Sequence, residues 1–209
     1  MARAPWCYTA PARPVPFPPH PDHRFTIPVV LPRAGQDHLM ALTRRMQAHF
    51  ITAQQCDPPT DHMMKFLKSG VYGLDDHNAP VMPGCQMGPY QVTSLVFVAS
   101  RATRRTPVRK TPAEEAIVPA GLPVPMLNHG DTGNHDPELT YPDFDPATGA
   151  LTTLTIGRAF SDCGTQAAWR WDHTHFVLTR MPLQLACGGS APPEDWPTVY
   201  RSLPSDGMQ

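Results

Sequence analysis

No run of apolar residues in this chain approaches the roughly 18 needed to span a bilayer as a helix. Charge is scarce as well. Only 17% of the 209 residues are Asp, Glu, Lys or Arg, against about 25% in ordinary soluble domains. With 17 basic and 18 acidic residues the net charge is −1. That near-neutral balance argues against a protein built as a whole for nucleic acid or an anionic membrane surface. Compact catalytic signatures are missing too: there is no G-x-S-x-G elbow, no Walker or dinucleotide glycine pattern and no H-E-x-x-H. No two cysteines are spaced C-x-x-C, so neither a zinc ribbon nor a thioredoxin-type redox site is indicated.

What the chain has in quantity is punctuation. Its 27 prolines and 14 glycines make up about a fifth of all positions, short of the roughly 25–30% of a wholly low-complexity chain. Each interior proline costs a helix about 3 kcal/mol, so the protein cannot be mostly helical. Its length suits one domain burying about 70% of its unfolded surface. Nine prolines between Pro5 and Pro32 make the first 35 residues an extended arm or linker. This arm lacks the basic, apolar and small-residue regions of a signal peptide.

From Gln36 to Gln54 the apolar positions Leu39, Leu42, Met46, Phe50 and Ala53 fall on one face of a 3.6-residue repeat. The spacing predicts one amphipathic helix, stopped by Pro58 and Pro59. The remainder reads as strands. Gly88–Ser100 is rich in β-branched and aromatic residues, while Phe66–Leu74 and Ala79–Met82 are shorter candidates. A Pro/Gly turn at 144–149 leads into a strand at Ala150–Gly157. Ala167–Asp172 pairs with Phe176–Met181 as a hairpin, and Trp196–Ser202 offers a last strand. Short strands at close spacing predict an α+β fold: an antiparallel β-meander sheet with one amphipathic helix packed on it.

Arg101, Arg104, Arg105, Arg109 and Lys110 crowd into ten residues with no acid among them. They read first as a solvated hairpin loop and second as a candidate anion patch. Five cysteines stand at 7, 56, 85, 163 and 187. Two local pairings suggest themselves, Cys56 with Cys85 and Cys163 with Cys187, each contributing about 3–4 kcal/mol by chain entropy. Other connectivities stay open, as does a set of buried free thiols in a cytosolic protein. Cys7 is left over.

Several C-terminal segments form an ordered set. They are Phe144-Asp145-Pro146-Ala147-Thr148-Gly149-Ala150-Leu151, Gly157-Arg158, Asp162-Cys163-Gly164, Trp169-Arg170-Trp171-Asp172 with Phe176-Val177-Leu178, Cys187, and Trp196-Pro197. The set resembles bacterial domain-of-unknown-function family 1176, from about Leu139 to Leu203 and more loosely upstream through Cys56, Pro83-Gly84-Cys85 and Gly88-Pro89-Tyr90. Where that family usually has glycine in the Trp hairpin turn, this chain has His173, which accepts a left-handed backbone at some cost. The resemblance implies export to the periplasm of a Gram-negative bacterium and supplies no activity. It also implies a longer parent, so the chain reads as a C-terminal half or a truncated gene model.

The remaining candidates are weak in chemistry. Trp169 and Trp171 project from one strand face; they read as core first and as a candidate aromatic surface for sugar or peptide second. Ten histidines include His173-x-His175 and the loop pair His129 and His135, which read as exposed side chains rather than zinc ligands. Cys163 with His173 or His175 makes a thiolate–imidazole pair only if Cys163 is reduced. No catalytic residue, metal or cofactor is indicated. The expectation is a Pro-rich arm (1–35), a disulfide-stapled α+β domain (36–204) and a disordered tail (205–209). Its expected role is binding or structure in the cell envelope, with an envelope protein or glycan as partner. The alternatives are a small envelope hydrolase or transferase, and a cytosolic interaction protein.

Overall fold

The computed structural model describes residues 25–56, 69–101, 115–123 and 138–202. Two helices come first, α1 (Arg33–Met46) and α2 (Ala48–Ala53). Strands β1 (Gly70–Val71), β2 (Asn78–Met82), β3 (Gly84–Met87), β4 (Val92–Leu95), β5 (Phe97–Arg101) and β6 (Glu115–Pro119) follow. The C-terminal half supplies β7 (Glu138–Thr140), β8 (Asp143–Asp145), β9 (Ala150–Ile156), β10 (Gly164–Trp171), β11 (Phe176–Gln184) and β12 (Thr198–Arg201).

The α+β class holds, but among the described residues the strands form three antiparallel sheets rather than one. Their orders are β1-β2-β5-β6, β3-β4-β7 and β8-β9-β10-β11-β12. The expected single strand at Gly88–Ser100 divides at Val96, sending β4 into one sheet and β5 into another. Val96 itself is fully buried, and its carbonyl accepts from Ala120 N at 2.8 Å. A continuous apolar run therefore conceals a change of sheet. The expected single helix also divides, at Gln47, whose side-chain amide is drawn off to Ile117 O at 2.7 Å.

Side-chain alternation assigns each face of the four-stranded sheet its own core. Ala79, Val81, Phe97, Ala99 and Ile117 face the helices, where Leu39, Leu42 and Phe50 pack on them. Phe50 meets the Phe97 ring edge-on at 5.8 Å. Met82, Val98 and Ala120 face the other way, into a cluster with Leu151, Trp169, Trp171 and Phe176 from the five-stranded sheet. The layers run helix, sheet, sheet. β2 and β5 of the middle sheet are covered on both faces and read as continuous apolar runs, whereas β6 at its edge alternates.

The end of the arm lies along the surface, where Thr26 N donates to Trp171 O at 3.0 Å and Val29 N to Gly73 O at 3.3 Å. Residues 33–35, expected in the arm, open α1 instead. Residues 1–24 and the expected tail at 205–209 fall outside the described residues. At the β10–β11 turn His173 adopts φ +81°, the left-handed backbone expected where the family has glycine.

Trp169 and Trp171 are 0% and 5% exposed, which corrects the aromatic-surface reading. Their strand face is the one turned into the inter-sheet core, and each indole N–H finds an acceptor: Trp169 Nε1 donates to Pro123 O at 2.9 Å and Trp171 Nε1 to Asp75 Oδ2 at 3.1 Å. Replacing Trp169 with Ala should lower the unfolding free energy by about 3–5 kcal/mol in urea titrations. A loss below about 1 kcal/mol would place this indole outside the core that joins the sheets.

Candidate functional site

The turn between β9 and β10 begins with Gly157-Arg158 and ends with Asp162-Cys163-Gly164. Gly157 N donates to Cys163 O at 2.8 Å and Ser161 N to Arg158 O at 3.0 Å, closing the turn. Both flanking glycines are needed for space. A Cβ on Gly157 would sit 2.9 Å from Cys163 Sγ, and one on Gly164, at φ +147°, only 2.0 Å from Thr155 O.

Across the mouth of the turn, Arg158 grips Asp162 as a two-pronged fork. Arg158 Nε lies 2.7 Å from Oδ1, and Nη2 donates to Oδ2. Planar forks of this kind are among the stronger side-chain pairings. Asp162 Oδ2 also accepts from Gly188 N at 2.7 Å, which ties the turn to the segment leaving β11. The Cys163–Cys187 disulfide makes the same connection covalently, with Cα atoms 4.8 Å apart. Further along, Gln166 Nε2 donates to Pro193 O at 2.7 Å, and the buried Trp196 donates from Nε1 to Ala191 O at 3.3 Å.

Between the two segments runs a shallow groove of about 460 Å³, bounded by Arg158, Phe160 and Asp162 on one side and by Gly189–Pro193 on the other. Phe160 stands 82% exposed at its rim, with the Arg158 guanidinium 5.6 Å from the ring centroid. Sequence reading missed this arrangement because Phe160 lies on no periodic face. The available signal was the pair of opposite charges four residues apart, enclosing an aromatic inside a two-glycine turn.

Residues 9–202 match the family described as "Protein of unknown function (DUF1176)". The chain belongs to that family. Membership covers nearly the whole sequence, so the resemblance expected mainly for the C-terminal half reaches the helical and central sheets too. The chain is also similar to "Uncharacterized protein YpfG" of Escherichia coli (strain K12), at 35% identity over 130 residues. That stretch is 62% of this chain and 34% of the relative, so the match spans about a third of the relative's length. No solved structure matches.

In this DUF1176 domain the second disulfide, Cys56–Cys85, ties the end of the helical segment to β3, with Cα atoms 4.4 Å apart. Two disulfides are compatible with a periplasmic or extracellular location. Among the described residues no helix is long and apolar enough to cross a membrane. Of the candidate anion patch, Arg101 sits exposed at the end of β5 opposite Glu115 on β6. Arg104, Arg105, Arg109 and Lys110 lie outside the described residues, as does Cys7.

The Asp162 carboxyl is held in its ionised form. The Arg158 fork, then the Gly188 N–H, hold the Asp162 carboxyl well below the usual carboxylate range, whereas a general base works best with a pKa near the operating pH. Cys163 is consumed in its disulfide, and His173 and His175 sit at the far end of β10 from it. At that far end Asp172 organises the turn. It accepts from Thr174 N at 3.0 Å and His175 N at 2.9 Å. Thr174 Oγ1 and the Asp172 carboxylate both approach His175 Nδ1, at 2.8 and 3.2 Å. A nucleophile–base–acid relay requires them on opposite ring nitrogens.

Because its folded pKa is depressed, Asp162 contributes stability that is fully present above the ordinary carboxylate pKa, near 4. That contribution fades as pH falls further, toward the folded value. The stability gap between wild type and Asp162→Asn should therefore be constant from pH 7 to about 5 and shrink below about pH 4. Urea titrations across this range check it. A gap that widens on acidification would contradict the assignment.

Proposed function

We propose that this domain is a non-catalytic binding module of the periplasm, which takes an envelope protein as its partner at the Phe160 corner. The observation that carries the reading is an almost fully exposed phenylalanine on a turn fastened by an ion pair and a disulfide. Aromatic and arginine side chains dominate the binding energy of protein interfaces. An anchor already held in place costs little entropy to order on binding. Ala191, Pro192 and Pro193 extend the apolar wall beside it. The ionised, arginine-clamped Asp162 and the bridged Cys163 support a role without catalysis. Disulfides persist in oxidising compartments, and the family resemblance implies export; together they support the periplasm.

A photo-crosslinking residue placed at Phe160 of the exported protein should give a discrete protein adduct in intact cells. The same residue at Val118, 54% exposed on β6, should not. Phe160→Ala should weaken the captured complex at least tenfold, a loss of about 1.4 kcal/mol or more. Equal adducts at both positions would refute the reading. So would Phe160-dependent binding to isolated cell-wall glycan without any protein adduct.

A further inference from the structure

The two disulfides span similar stretches of chain, with sequence separations of 29 and 24, but they sit in different surroundings. Cys85 is fully buried in the cluster of Val81, Leu95 and Phe97, and Cys56 packs against that cluster. Cys163 is also buried, at 2% exposed, with its sulfur lying against Gly157. Cys187 belongs to an exposed run, 185–190, on the open side of the corner.

Thiol–disulfide exchange requires a thiolate to reach one sulfur of the bridge, so access decides which bridge reacts and which sulfur is attacked. We propose that Cys187 is a thiol-exchange site, through which a dithiol reductant opens the Cys163–Cys187 bridge while Cys56–Cys85 stays closed. A thiolate of the dithiol attacks Cys187 Sγ. The S–S bond breaks with its electron pair on Cys163, which takes a proton from water. The reductant's second thiolate then displaces Cys187 from the mixed disulfide, and Cys187 takes a second proton. The protein gains two thiols and two electrons, and the dithiol ends as a disulfide. Cys163, enclosed against Gly157, is the leaving sulfur rather than the point of attack.

Opening this bridge removes the covalent link between the two walls of the groove. The Gln166–Pro193 hydrogen bond remains as a cross-tie, while the Asp162–Gly188 bond loses the covalent closure that holds it. The bridge joins a turn to a loop, so both β10 pairings survive its loss. The exchange stands independently of any ligand in the groove, and its test needs none.

The full oxidised chain is treated in native buffer with limiting dithiothreitol, quenched at intervals by alkylation and mapped by peptide mass, with Cys7 read on its own peptide. Cys163 and Cys187 should be alkylated at least tenfold faster than Cys56 and Cys85. In a second arm the single variants Cys163→Ser and Cys187→Ser meet an aromatic disulfide reagent without denaturant. Cys187 in the first should react at least tenfold faster than Cys163 in the second. Opening of Cys56–Cys85 at an equal or greater rate overturns the proposal, as does a faster Cys163. If either variant fails to fold, the wild-type kinetics decide alone.

Discussion

The bridge between Cys163 and Cys187 joins the first turn of the five-stranded sheet's middle strand to the segment that leaves its neighbour. Around it several ties of the corner are polar and short-ranged. The Arg158–Asp162 fork, the Gly188 amide and the Gln166–Pro193 bond each fix one residue against another. Acting across a covalent closure, they hold a turn and a loop in one arrangement and leave Phe160 standing clear of the surface. A chain so rich in proline gains little order from helix propagation, and cross-links supply part of what propagation does not.

The corner depends in turn on what lies beneath it. Trp169 is fully buried and Trp171 nearly so, both on β10, and they bring the five-stranded sheet against the four-stranded one. The helices cover the opposite face through Phe50 and its neighbours. β10 is hydrogen-bonded along both edges, to β9 and to β11, and close-packed cores yield little, so its Gly164 end offers a fixed base for the disulfide. The tryptophans are the floor beneath the corner rather than an exposed surface.

Local pattern carried well where structure is local. The Trp hairpin, the helix face built on Leu39, Leu42 and Phe50, the left-handed His173 and the two cysteine pairs could all be read from spacing or from the ordered motif set. What could not be read is non-local. Val96 turns the chain from one sheet to another without any proline or glycine to mark it. Gln47 divides the helix because its side chain is claimed by a carbonyl seventy residues later. Phe160 owes its significance to a groove whose second wall arrives from beyond β11, and no periodicity foretells such a meeting.

The corner is a pre-ordered platform held by its bridge and by the Asp162 carboxylate. Amide hydrogen exchange tests it most directly, read at the Gly157 and Gly188 amides, which donate to Cys163 O and to Asp162. In the oxidised protein both amides should exchange at least tenfold more slowly than unbonded loop amides. In the Cys163→Ser, Cys187→Ser double variant, Gly188 should lose that protection while the β10–β11 amides keep theirs. A Gly188 amide that exchanges freely while the bridge is intact would contradict the account.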